Sequence, residues 1–150
     1  MNHLITRVLS FSVVICCIST YSLFAADATV TGKWKTFEDG TGRPKAIVQI
    51  YEQDGAIYGK VEQGLIPERA GRRCDKCTDE RKGQPVLGMV IVRGLKKQGD
   101  EFAGGDILDP DNGSVYRCKL RVIEDGRKLS VRGYKGVSLL GRTQTWERVP

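Results

Sequence analysis

The chain has 150 residues, with 24 Lys and Arg against 18 Asp and Glu, 18 glycines, five cysteines and one histidine. That histidine, His3, falls in a leader-like segment, so the mature chain has no imidazole for Ser-His-Asp or Cys-His catalysis, nor for zinc or copper. The net charge of +6 attracts anionic surfaces without naming a partner, and no nucleic-acid partner is expected.

Residues 1–26 read as a signal peptide. Arg7 precedes the uncharged run VLSFSVVICCISTYSLF, and the small residues AADA follow. A membrane anchor is the competing reading, although the run is only marginally long enough to span. Cleavage leaves residues 27–150 as a single domain, periplasmic or secreted, with no transmembrane segment. Cys16 and Cys17 depart with the leader, and Cys74, Cys77 and Cys118 remain in an oxidising compartment. The glycines all lie beyond the leader, which favours a compact all-β domain over helices.

The chain then alternates strand patterns with turn signals. TGKWKTF is the first candidate strand. AIVQIYEQ and AIYGKVE flank Asp54-Gly55, GMVIVRGL and FAGGDILD follow, SVYRCKLRVI begins after Asn112-Gly113, and KLSVRGY follows Asp125-Gly126. RTQTWERV closes the chain. Each dipeptide tolerates the positive φ of tight hairpin turns.

One connection is long, from about Gln63 to Gly88, with a helical turn expected near PERAGRR. It carries GRRCDKCTDE. A thioredoxin-like dithiol would follow a buried strand, and none precedes this pair. A thiolate metal site would need Cys74, Cys77, the more distant Cys118 and a carboxylate. The reading adopted is a disulfide stapling the loop, Cys74–Cys77 as the nearest pairing, with a link from either to Cys118 as the alternative.

In DPDNGS the acids invite a calcium reading, but the glycine comes one place early for an EF-hand loop and the glutamate is missing. Asp109, Asp111 and Asn112 are also ordinary turn residues. A two-residue turn at Asp125-Gly126 sets Val122 opposite Leu129, Leu120 opposite Val131 and Cys118 opposite Gly133. Both strands then present one apolar face, with Cys118 inward. The outer face puts Arg117, Lys119 and Arg121 against Tyr134, Arg132 and Ser130, either a solvated surface or an anion-binding stripe.

Eight short antiparallel strands in sequence order suit a closed barrel, which removes exposed edges and is wide enough for one small ligand. Closure would bring Trp34 of the first strand beside Trp146 and Arg148 of the last, where indole and guanidinium can stack.

The segments GKW, CDKC with GQPVLGMVIV, GGDILDPDNGSVYRCKL and LSVRGYKGVSLLGRTQTWERV together resemble the bacterial exported family known as domain of unknown function 2147. Gly-x-Trp near the start and the aromatic-plus-arginine end are also similar to lipocalin and calycin barrels. The resemblance implies an exported, lipocalin/calycin-like antiparallel eight-stranded barrel with one long loop, and carries no activity with it.

The expected function is binding of a small hydrophobic or amphipathic, lipid-like ligand. Trp34, Asp109, Tyr116, Arg132, Tyr134, Arg142 and Trp146 are the candidate binding residues. One alternative is an envelope interaction protein holding anionic lipid or polymer on its basic face. Another is a hydrolase or transferase using carboxylates such as Asp106 and Asp109. No catalytic residue, metal or cofactor is assigned, and a non-enzymatic role is favoured.

Overall fold

The computed structural model describes residues 29–150. The leader-like segment, with His3, Cys16, Cys17 and the boundary at residue 26, lies outside the described residues. Eight strands follow in order: β1 (Gly32–Phe37), β2 (Pro44–Gln53), β3 (Ala56–Gly64), β4 (Val90–Gln98), β5 (Glu101–Asp109), β6 (Ser114–Ile123), β7 (Lys128–Tyr134) and β8 (Arg142–Arg148). Each pairs antiparallel with the next and β8 returns to β1, closing the barrel. The order matches the strands expected from sequence.

The β6–β7 hairpin has the register that its apolar alternation requires, with Val122↔Leu129, Leu120↔Val131 and Cys118↔Gly133. Asp125 and Gly126 take φ of 52° and 87°, and Asp54 and Gly55 take 52° and 72°. These values suit the mirror-image two-residue turns that match strand twist. The Asn112-Gly113 signal works differently. Asp109 pairs with Ser114, so Pro110–Gly113 form a four-residue loop in which only Gly113 has positive φ, 72°.

The two ends of the barrel differ. At the end bearing the β2–β3, β4–β5 and β6–β7 turns, Trp34, Ile50, Leu95, Leu120 and Leu129 are fully buried and fill the interior. The barrel closes there: Trp34 pairs with Arg148 and Lys35 with Glu147 across β1 and β8. The Arg148 guanidinium lies 4.1 Å from the Trp34 ring, the stack expected from the two ends of the sequence. Arg148 also donates to the carbonyls of Thr29, Thr31 and Gly126, tying the chain ends to the β6–β7 turn.

The other end carries the longer connections, including residues 65–89 between β3 and β4. This segment has its own architecture: a 3-10 turn at Pro67–Arg69, a bridge between Arg73 and Pro85, and a Cys74–Cys77 disulfide. Arg81 is buried. Its guanidinium grips the Asp79 carboxylate and donates to the Val90 carbonyl at 3.1 Å, anchoring the segment to β4. Both cysteines are buried against the β5–β6 loop, where a Cβ on Gly113 would stand 2.0 Å from the Lys76 oxygen.

Candidate functional site: a cavity at the loop end

Above the packed half, the barrel encloses a cavity of about 1090 Å³. Small-molecule pockets span roughly 300–1,000 Å³, so it is large by that scale. Its walls come from inward positions of several strands, with Val48, Val61, Ile91, Ile107, Val131 and Trp146 giving an apolar lining. Gly59 keeps the inward row narrow where neighbours need the space: a Cβ there would stand 2.7 Å from Ile50 Cδ1 and 3.1 Å from Val92.

The rim has a different chemistry. Lys45, Arg69, Arg72, Lys135 and Arg142 contribute to the lining, against Glu62 and Asp109. Both acids are already engaged. Glu62 pairs with Lys33 at 3.0 Å, and Asp109 accepts from the Asp111 backbone N–H and the Asn112 amide. Three of the rim cations converge on one carboxylate, Asp111 of the β5–β6 loop. Arg72 donates to Oδ1, Lys45 donates to Oδ2 at 2.7 Å, and Arg69 stands 3.6 Å away.

Burial pushes the Asp111 carboxyl up, but hydrogen bonds from Lys45 and Arg72 and their charges outweigh it and hold the group at about 2. Arg69 also reaches Glu38 at 2.8 Å, so this network ties the β1–β2 loop, the 65–89 segment and the β5–β6 loop around one opening. Cations outnumber the acids they share. A second anion entering the mouth would therefore meet unspent positive charge.

Five of the seven candidate binding residues border this cavity: Asp109, Tyr116, Tyr134, Arg142 and Trp146. Tyr116 points inward from β6 with its hydroxyl 3.1 Å from the Asn112 amide, and the Lys135 ammonium sits 5.1 Å from its ring centroid. Trp146 is buried, with its indole N–H donating to Gln144.

Trp34 and Arg132 are placed elsewhere. Trp34 belongs to the packed end, because two-residue alternation from Gly32 carries it inward below the cavity. Arg132 faces outward opposite Lys119 and donates to the Ser138 and Leu139 carbonyls of the β7–β8 loop. Sequence reasoning missed Lys45, Arg69 and Arg72, and read Asp111 as a turn residue. The cation run in IPERAGRR was the available signal, but its convergence on Asp111 needs the fold.

The other chemistries find little support at their residues. The Cys74–Cys77 bond removes two of the thiolates that a metal site with Cys118 would need. Burial and the nearby Asp106 charge push the Cys118 thiol up to about 12, which leaves it un-ionised. Asp106 lies outside the cavity lining, with its Oδ1 buried and without a protein hydrogen-bond partner, so it does not converge with Asp109 there. On the outer basic face, Lys119 is paired with Glu101 at 2.7 Å and Arg121, more exposed, with Asp100 at 2.6 Å. No helix among the described residues is long and apolar enough to cross a membrane.

A closed, antiparallel eight-stranded barrel with a one-ended cavity is a lipocalin-like architecture. A solved structure described as protein HP1028 from the human pathogen Helicobacter pylori, belonging to the lipocalin family, is similar in fold, with a TM-score of 0.71 and 18% identity. The match covers 82% of this chain and 84% of that one. Residues 32–148 place the chain in the family described as an uncharacterized protein conserved in bacteria, DUF2147, to which it belongs. No curated protein matches the chain.

Proposed function

We propose that this protein is an exported binding protein whose barrel holds a small amphipathic ligand, with the apolar body inside and an anionic head at the mouth. One observation carries the reading: an apolar cavity opens through a rim where Lys45, Arg69 and Arg72 share a single carboxylate, Asp111. Burial of a hydrocarbon chain against Val48, Val61, Ile91, Ile107, Val131 and Trp146 supplies the driving force, at about 25 cal/mol per Å² of apolar surface. The rim cations then select a carboxylate or phosphate head over a neutral one. Export rests on the leader-like residues 1–26 and is tested by N-terminal sequencing of the protein recovered from the periplasm or medium.

The binding test is a matched pair of probes, a long-chain fatty acid and the alcohol of equal chain length, titrated by displacement of an environment-sensitive fluorophore. The acid should bind roughly tenfold or more tightly, and Lys45→Gln with Arg72→Gln should shrink that ratio. Ile107→Trp, which narrows the cavity, should weaken both. Equal binding of acid and alcohol would remove the head-group assignment. No binding of either would remove the cavity reading itself.

A further inference from the structure

The rim also carries apolar side chains that nothing in the fold covers. Val137, Leu139 and Leu140, in the loop between β7 and β8, are 62%, 86% and 81% exposed, and Leu87 of the 65–89 segment is 62% exposed. Leu87 and Leu140 also line the cavity, so this patch borders its mouth. Single exposed leucines are commonplace, but three large apolar side chains within four residues at a cavity entrance are not.

The loop that presents them is held in shape. Arg132 donates through Nε and Nη2 to the Ser138 carbonyl at 2.8 and 2.6 Å, and through Nη2 to Leu139 at 3.2 Å. The Leu140 and Gly141 N–H groups donate to Val137 and Ser138. Several polar backbone atoms of the tip are thereby occupied, which lowers the cost of placing it in a water-poor layer.

Charge in this part of the chain has one sign. No acid occurs from Arg132 to Trp146, the stretch that carries this loop, whereas Arg132, Lys135 and Arg142 do. Among the described residues Lys135 makes no ion pair, and the Arg142–Asp39 pair is more than half exposed on both sides, hence screened and exchangeable.

We propose that this rim docks on an anionic lipid bilayer with the cavity mouth facing the membrane. Val137, Leu139 and Leu140 enter the interface, and Lys135 and Arg142 lie against the head groups. Charge complementarity carries the choice of occupant, since an apolar tip flanked by cations is the pattern of interfacial binding to anionic lipid. Size argues the same way. A stable protein interface takes about 800 Å² from each partner, far more than the tip of one short loop offers, whereas a bilayer requires only a wedge. Docking here would bring the cavity mouth to a source of amphiphiles, yet it does not depend on any cargo being bound.

The test is vesicle flotation of the whole mature protein with phosphatidylcholine alone and with phosphatidylcholine containing phosphatidylglycerol. Wild type should favour the anionic vesicles by roughly tenfold or more. The double variant Leu139→Ser, Leu140→Ser should lose about tenfold or more of that binding, with unchanged circular dichroism and Tm because both side chains are exposed. Lys135→Gln with Arg142→Gln should reduce the anionic preference specifically. Docking is overturned if wild type fails to float with anionic vesicles, if it binds both vesicles equally, or if the double serine variant floats like wild type. It is also overturned if light scattering finds a wild-type dimer that the serine variant dissolves, since a second copy would then be what covers the patch.

Discussion

Barrel closure depends on a short seam, and Arg148 is the residue that spans it. The β1–β8 contact has two register pairs, supplemented by the Val149 N–H to Lys33 carbonyl bond at 2.9 Å. Replacing Arg148 with Ala removes donors to three carbonyls, at Gly126, Thr31 and Thr29, together with the 4.1 Å stack on Trp34. Each part-buried bond is worth about 1 kcal/mol net and the stack about 0.5–1 kcal/mol. Water can replace the Arg148 bond at the exposed Thr29 carbonyl, so the expected loss is about 2–3 kcal/mol, or roughly 10 °C in Tm for a domain of this size. Arg148→Lys should lose nearly as much, because an ammonium keeps the charge but not the planar fork. Thermal unfolding measures the magnitude, and amide exchange locates it: protection should fall first at Lys35 and Val149. The reasoning fails if Arg148→Lys retains wild-type Tm, which would make a point charge over the indole sufficient. It fails equally if exchange accelerates uniformly around the barrel.

Three further outcomes follow from local geometry. Asp111 is held at about 2 in the fold, below the roughly 3.9 of an unfolded aspartate, so its contribution is present above about pH 4 and lost as pH falls towards 2. Asp111→Asn should flatten that part of the acid-stability profile and speed limited proteolysis of residues 65–89, with the difference from wild type vanishing near pH 2. Gly105→Ala should destabilise by about 2–3 kcal/mol or prevent folding, because the new Cβ would stand 2.0 Å from the Arg93 carbonyl oxygen, and denaturant titration reads it directly. Among the described residues Cys118 is the free thiol, fully buried and pushed up to about 12. Ellman's reagent should therefore find no rapidly reacting thiol on the fold and one in denaturant, and a count of three would exclude the Cys74–Cys77 bond.

Much of the fold is local and was legible for that reason. The β6–β7 register follows from two apolar rows that agree only when Asp125-Gly126 is a two-residue turn, and Asp54-Gly55 behaves likewise. The Trp34–Arg148 meeting followed from closure alone. Asn112-Gly113 misled on turn length because Asp109 and Asn112 spend their side chains bonding the loop backbone, stabilising four residues where the dipeptide suggests two. The site was half legible. Inward alternation on β6 and β8 marks Tyr116 and Trp146, but Lys45, Arg69, Arg72 and Asp111 come from separate segments, and no sequence period brings them together. Arg132 looked like a ligand contact on composition, and its role as a clamp on the β7–β8 loop depends on where the Ser138 carbonyl lies.

The asymmetry of the two ends is what converts a barrel into a receptacle. Tight turns at the packed end bring bulky inward side chains within reach of one another, and Trp34 with Arg148 closes what remains. At the other end, longer connections hold the strand ends apart, so the inward rows above Leu120 and Leu129 enclose space instead of touching. Those connections would collapse or flutter if left unbraced. Below the rim Cys74, Cys77, Val86 and Met89 pack on the core, and at the rim itself the bracing is by charge at Asp111 and Glu38, with the Arg81–Asp79 anchor and the Cys74–Cys77 bond behind it. Hydrophobic bracing of the rim itself would fill the opening. An ionic rim leaves the mouth clear and positively biased, as the proposed entry of an apolar body and its retention by an anionic head require.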